Sequence, residues 1–218
     1  MENSFFLEEL VSRYPQLEVV KEEVGQAAES LIKCYENGGK VLICGNGGSC
    51  SDSDHIVGEL MKGFENKRRI SGDLKKNLLE SAGERGAYLA EKLQHALPAI
   101  SLTAHTALIT AVANDTDADL IFAQQVVGYG NPGDVIIGIS SSGNSQNVVD
   151  ALITAKAKEM VVIGLTGETG GKMKQHCDIL INVPGRRTAF VQELHLPVYH
   201  VLCLMVENHF FGKSKIGD

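Results

Sequence analysis

Apolar positions follow two rhythms along the chain. From Gln16 to Glu36 they recur at helical spacing (Leu17, Val20, Val24, Ala27, Leu31), and Asn37-Gly38-Gly39 ends the stretch as a C-cap does. Ahead of it, Ser4 to Tyr14 reads as a shorter helix closed by Pro15. Beyond Gly39 the rhythm changes to short apolar runs: VLIC between Lys40 and Gly45, LPAISL from Leu97, VIIGI after Asp134, VVIGL after Met160 and ILINV after Asp178. Runs of about four to six residues rich in β-branched side chains, separated by helical stretches, are what a parallel sheet covered on both faces requires. The pattern predicts an α/β domain, a doubly wound five-stranded parallel sheet flanked by helices, with residues 1–39 forming N-terminal helices.

Two further stretches break the alternation. Lys67 to Gln94 is strongly charged, and its Leu74, Leu78, Leu79, Tyr88, Leu89 and Leu93 predict one or two amphipathic helices interrupted near Ser81-Ala82-Gly83. It has too few apolar residues for a separate core and reads as a helical insertion, 67–94. The last element, Ala189 to Phe211, is apolar over much of its length yet carries Gln192, Glu193, His195 and His200. With 218 residues, the chain suits one substantial core, so 1–218 is read as a single domain.

Composition narrows the class. No uninterrupted apolar run reaches the roughly 18 residues of a membrane span, and the start, MENSFFLEELVSRYPQ, has acids where a signal peptide has a basic region. A cytoplasmic location and no membrane partner are expected. Five cysteines, Cys34, Cys44, Cys50, Cys177 and Cys203, show no C-x-x-C spacing and indicate neither a disulfide framework nor a structural zinc knot. A formal net charge of -7 argues against a nucleic-acid partner. It leaves room for a phosphate, because amides at a helix N-terminus create local positive potential whatever the net charge.

Two loops offer such amides. Gly45-Asn46-Gly47-Gly48-Ser49 follows the Val41–Cys44 run and leads to a helix expected to begin near Ser51-Asp52. Its glycines permit positive φ and close approach of the backbone to an anion, although a Gly-rich turn also serves tight packing. Ser140-Ser141-Ser142-Gly143-Asn144-Ser145 follows Val135–Ile139 and leads into a helix expected from Asn147 to Lys156. Ser145 or Asn144 alone would be a helix cap, but four serines exceed that need and suit a phosphomonoester. Neither loop has the Gly-Lys-Ser/Thr ending of a Walker motif, and no G-x-G-x-x-G is present.

Candidate catalytic groups follow on the helices. His55 and Glu59, four residues apart, share a helix face and can form an acid/base couple, two metal ligands or a solvated pair. On the C-terminal helix, Glu193 and His200 align within about 20°, whereas Gln192 and His200 lie about 80° apart, so ideal geometry favours Glu193. Pro197 between them introduces a kink that can change this alignment. Asn114-Asp115, after the apolar helix Ala107 to Ala113, is ordinarily a cap or turn.

Taken in order, GNGGS at 45–49, AND at 113–115, SSSGNS at 140–145, LTGETGG at 165–171 and QELH-x4-H at 192–200 resemble the sugar isomerase (SIS) domain, and more narrowly the phosphoheptose isomerases. The resemblance covers nearly the whole chain except 67–94. It implies interconversion of sedoheptulose 7-phosphate and D-glycero-D-manno-heptose 7-phosphate, which feeds lipopolysaccharide cores and other heptose-containing products. It also implies that Ser140, Ser141, Ser142 and Ser145 hold the phosphate, while Asn46, Gly47, Gly48, Asn114 and Asp115 line the sugar site with Glu59 and Gln192. Glu59 is then the base and His200 the acid. Zinc, one per subunit, is implied at His55, Glu59, Gln192 and His200, a choice that takes Gln192 over Glu193. A homotetramer with sites at subunit interfaces is implied as well.

The 67–94 segment departs from the family, whose connection there is short, and this bears on substrate and assembly. Rival readings are a non-enzymatic SIS regulator that binds a replication initiator, and an isomerase or sensor of another phosphosugar. The regulator lacks a counterpart of His200, so the presence of His55, Glu59 and His200 favours the enzyme.

Overall fold

The computed structural model describes residues 3–212. Two N-terminal helices, α1 (Asn3–Arg13) and α2 (Lys21–Glu36), precede β1 (Val41–Gly45) and α3 (Gly48–Met61). Next come α4 (Gly72–Lys92), β2 (Ala99–Ser101), α5 (Thr106–Asp115), α6 (Ala123–Tyr129), β3 (Val135–Ser140) and α7 (Gln146–Ala157). The chain ends with β4 (Val161–Gly167), β5 (Ile179–Val183) and α8 (Thr188–Phe211). All five expected strands are present and all pair in parallel, in the order β2-β1-β3-β4-β5.

The near-continuous apolar runs have a structural reason. β1 and β3 are buried at every position, because successive side chains alternate between two covered faces. Val41 and Ile43 join the core formed with α1, α2, α3 and α8, whereas Leu42 and Cys44 join the core formed with α6 and α7. The start of the sheet is tied by buried Asp134, whose carboxylate accepts from the Lys40 and Asn131 amides at 2.9 and 2.8 Å and pairs with the Lys40 ammonium. β1 feeds outward to β2, and the chain then returns to β3 on the other side of β1. The strand order therefore reverses between β1 and β3, and a crevice opens there at the carboxyl ends of the strands.

Several boundaries differ from expectation. The Gln16–Glu36 stretch divides into a 3-10 turn, Pro15–Val20, and α2. Val20 leaves helical geometry (φ -124°, ψ 8°), and Leu17 and Val20 are both buried. α3 begins at Gly48 rather than near Ser51, so the glycine loop itself forms the first turn. α4 breaks at Ala82 and Gly83, where the interruption was expected, with Gly83 at φ 50°. Its two halves project from the body and are mostly exposed, leaving Leu74, Leu79, Tyr88 and Leu93 open. α8 is the one helix among the described residues long and apolar enough to cross a membrane, against the expectation of none. In this fold it is a core helix, fully burying Val191, His195, Val198 and Val206.

Candidate functional site

The loops after β1 and β3 meet across the switch point. Together with the start of α8 they enclose a cavity of about 330 Å³ lined by Asn46, Gly47, Gly48, Ser49, Ser140, Ser141, Ser142, Ser145, Thr188 and Gln192. The N-termini of α3, α7 and α8 converge on it, each contributing amides not used within its helix. Gly47 has φ 57° and ψ -118°, a left-handed conformation that turns the chain into α3 without the steric cost of a β-carbon. At Gly48 a β-carbon would run into the Gln192 amide, so this glycine is what allows α8 to approach the loop.

Two side-chain links hold the loops in register. Asn46 and Asn147 exchange amide hydrogen bonds at 2.8 and 3.0 Å, tying the first loop to α7. The Ser140 and Ser145 hydroxyls are 3.0 Å apart across the second loop. Ser145 occupies the N-cap of α7 yet makes no side-chain cap, so its hydroxyl faces Ser140 and the cavity rather than its own helix. Ser142 is partly engaged, accepting from the Asn144 amide at 3.2 Å.

A second cluster lies further along α3 and α8, which run side by side from the cavity. The His55 Nε2 is 3.3 Å from a Glu59 oxygen, Lys62 reaches the other Glu59 oxygen at 3.2 Å, and the His55 and His200 rings meet edge to face with centroids 5.0 Å apart. His55 Nδ1 is 3.0 Å from the Tyr199 hydroxyl, which donates to Asp52 at 3.2 Å. Burial raises the Asp52 carboxyl above its ordinary value, against the opposing hydrogen bond from Tyr199 and the influence of His55. Burial, with His55 next in effect, pushes the His200 imidazole down. Its Nε2 is buried without a hydrogen-bond partner.

The end of α3 that carries Glu59 is clamped from beneath. Arg68 and Glu207, both with fully buried side chains, form an ion pair at 2.9 Å. Arg68 also donates to the backbone carbonyls of Leu60 at 2.5 Å and Glu59 at 3.0 Å, two acceptors left open by the helix end. Glu207 collects the amides of Phe64, Glu65 and Asn66 at 2.7, 2.8 and 3.0 Å.

Within one chain these placements divide the predicted residues into three groups. Asn46, Gly47, Gly48, the four serines and Gln192 share the cavity. His55, Glu59 and His200 form the second cluster. Asn114 and Asp115 are exposed in the last turn of α5, bonded to each other at 2.7 Å and outside the cavity lining. Glu193, favoured by ideal helix geometry, is exposed, and Gln192 is the residue that turns towards the loop. His195 is fully buried, and burial pushes its imidazole down to about 4, so it is a neutral core residue.

Thr188 and Asn147 were not anticipated; their only sequence signal is a position in the first turn of a helix beside a loop. Asp52 and Tyr199 gave no signal at all, since their meeting depends on how α3 packs on α8. As a zinc donor set, His55, Glu59 and His200 have the right chemistry, and the unpartnered His200 Nε2 leaves a lone pair or proton free for a ligand. Among the described residues, no three His, Cys, Asp or Glu side chains are gathered around one point, so metal binding here requires side-chain rotation. Gln192 is eight residues, about 12 Å of helix, from His200 of the same chain.

A doubly wound α/β domain with a cavity lined by glycines and serine hydroxyls at its switch point, and a carboxylate–imidazole cluster on α3 and α8, is the class that fold and site define. The SIS domain family model matches residues 6–80 and 78–167, and the chain belongs to that family. A phosphoheptose isomerase of Laribacter hongkongensis is 37% identical over 213 residues, 96% of this chain and 95% of that protein. One from Rhodospirillum rubrum is 40% identical over 185 residues, 85% of each chain. The solved structure of the Neisseria gonorrhoeae phosphoheptose isomerase matches with a TM-score of 0.72 and 34% identity, covering 94% of this chain and 96% of that one.

Proposed function

We propose that this protein is a phosphoheptose isomerase, an aldose–ketose isomerase that interconverts sedoheptulose 7-phosphate and D-glycero-D-manno-heptose 7-phosphate. The observation that carries the reading is the presence, in one SIS chain, of both a hydroxyl-lined anion cradle and a Glu59–His55–His200 cluster. Converged helix N-termini and the Ser140, Ser141, Ser142 and Ser145 hydroxyls supply donors for the three phosphate oxygens. Asn46, Gly47, Gly48 and Gln192 lie where the adjoining sugar hydroxyls would fall.

The reaction moves a carbonyl between C1 and C2. Glu59 takes the proton from the carbon beside the carbonyl and returns it to the neighbouring carbon, through an enediolate. His200, held neutral by its surroundings, donates a hydrogen bond to the oxygen on which charge develops. Zinc held by His55, Glu59 and His200 would polarise that carbonyl, at the expense of Glu59 as a base.

The two halves of the site belong to different subunits. From Gly48 to Glu59 is eleven residues, about 16 Å of helix, whereas a seven-carbon sugar phosphate spans on the order of 10 Å between C1 and phosphorus. One molecule engaging both sets therefore takes the loops of one chain and the cluster of another, with Gln192 joining the metal ligands across the same boundary. Asn114 and Asp115 reach a sugar in the same way. Exposed Phe190 and Leu196 on α8, and an α5 that buries only Val112, supply apolar surface for the oligomer this requires, in this proposal a homotetramer. The five free cysteines suit a reducing cytoplasm, and the product would enter heptose synthesis for lipopolysaccharide or related glycans.

Incubation of the purified protein with sedoheptulose 7-phosphate tests the reading, with Glu59→Gln and His200→Ala as controls. Aldose product from the parent and at least a hundredfold loss in both variants is expected. Equal turnover by parent and Glu59→Gln would remove Glu59 from the chemistry.

A further inference from the structure

We infer that Asp52 and Tyr199 form a positioning relay that holds the His55 ring with its proton on Nδ1, so that the Nε2 lone pair faces Glu59 and His200. The inference extends the proposed reading by adding two residues behind the cluster, neither of which touches substrate.

The direction of the relay follows from donor accounting. Tyr199 is buried at 2% exposure, and its one hydroxyl proton has two neighbours, Asp52 Oδ1 at 3.2 Å and His55 Nδ1 at 3.0 Å. An ionised carboxylate accepts only, and the second oxygen of Asp52 is buried without any partner, so Asp52 depends on the tyrosine for a donor. With its proton committed there, the Tyr199 oxygen can only accept from His55. Nδ1 must then carry the hydrogen, and in the neutral imidazole Nε2 is the bare nitrogen, 3.3 Å from a Glu59 oxygen. The edge-to-face contact of the Tyr199 and His55 rings, with centroids 5.5 Å apart, restricts rotation out of this arrangement.

The consequence is chemical. Two electron-rich atoms, His55 Nε2 and a Glu59 oxygen, face a common space and attract whatever carries positive charge or a proton: a divalent cation or a sugar hydroxyl. An imidazole that donates its distal N–H to an oxygen acceptor and presents its other nitrogen is the arrangement that fixes a metal-binding histidine. The alternative polarity reverses every bond: a protonated Asp52 donates to Tyr199, Tyr199 donates to Nδ1, and Nε2–H donates to Glu59. That version makes His55 a donor and closes the space to a cation.

Long-range proton–nitrogen correlation NMR on the ¹⁵N-histidine-labelled full chain separates the two, with the His55 signals assigned by their loss in His55→Gln. Neither substrate nor metal is needed, so the result stands apart from success or failure of the isomerase assay. The parent is expected to show Nδ1 protonated and Nε2 bare at neutral pH, and Tyr199→Phe to move the proton largely to Nε2. An Nε2–H tautomer in the parent, or an unchanged tautomer in Tyr199→Phe, overturns the inference. Zinc affinity, titrated with the metal alone, is expected to fall about 10- to 100-fold in Tyr199→Phe. Equal affinity in parent and variant also overturns it.

Discussion

Replacing Arg68 with Met tests how the Glu59 end of α3 is held. The side chains of Arg68 and Glu207 are both fully buried and 2.9 Å apart. Met retains much of the apolar stem but removes the charge and the donors to Glu207, Leu60 and Glu59. Glu207 keeps its three backbone amides and loses its counter-charge, and two helix-end carbonyls lose a partner. Breaking a buried pair from one side costs about 3–5 kcal/mol. In a chain of this size that lowers the thermal midpoint by roughly 6–20 °C. Thermal unfolding at fixed protein concentration measures the loss.

The double variant Arg68→Met/Glu207→Leu completes the cycle. It is expected to lose less than the two single variants summed, because it leaves no uncompensated charge. pH gives a second reading of the same pair. Burial alone would raise the Glu207 carboxyl, but the amides of Phe64, Glu65 and Asn66, with Arg68, outweigh it and hold the group below its ordinary value. A depressed carboxyl contributes stability that is present above the unfolded value of about 4.3 and is lost as pH falls through the lower folded value. The parent should therefore lose more stability on acidification than the double variant. A shift below about 1 kcal/mol for Arg68→Met would refute the reasoning, because it would mean that the buried Glu207 charge needs no partner.

Other outcomes follow from the same structure. Ser140→Ala/Ser145→Ala should raise KM for the phosphorylated sugar by roughly 10²- to 10⁴-fold, from loss of two hydrogen bonds to a charged group at about 1.5–3 kcal/mol each, with a smaller change in kcat. Mixing that variant with Glu59→Gln, followed by subunit exchange, should restore activity at substrate concentrations well below the serine variant's KM, where neither turns over appreciably alone; no recovery places both halves of the site in one chain. His195, neutral with its folded value pushed down to about 4, leaves stability intact above its unfolded value of about 6.5 and erodes it as pH falls towards 4. His195→Leu should therefore flatten the stability profile across that window by up to about 3 kcal/mol in denaturant titrations. Replacing residues 72–92 with a short Gly/Ser linker should preserve the far-ultraviolet spectrum per residue of the remaining body, since α4 projects from it and the clasp made by Arg69 and Gln94 lies outside the deletion.

The strands were legible because each is covered on both sides, so burial writes itself into the sequence as unbroken apolar runs. The loops were legible because glycines and serines cluster at the ends of two of those runs. Helix starts were less so: nothing local distinguishes a glycine loop before α3 from one that forms its first turn. The partnership of Gln192 with Gly48 could not be found from α8 alone, because helix periodicity favoured Glu193 and the outcome depends on where α8 packs. The Asp52–Tyr199–His55 chain was invisible for the same reason, since Tyr199 lies 144 and 147 positions from His55 and Asp52. The Arg68–Glu207 pair was hidden too, because a charged residue in a charged stretch reads as solvated until its partner is seen.

Proton NMR of sedoheptulose 7-phosphate incubated with the protein in D₂O watches the carbon–hydrogen bond on which the proposed chemistry turns. Proton transfer through an enediolate by Glu59 predicts that aldose 7-phosphate, formed by the parent and absent with Glu59→Gln, carries deuterium at C2 in the fraction of turnovers in which the proton held on Glu59 exchanges with solvent before its return. No aldose from the parent, with or without added zinc, would contradict the assignment of this chain as a phosphoheptose isomerase.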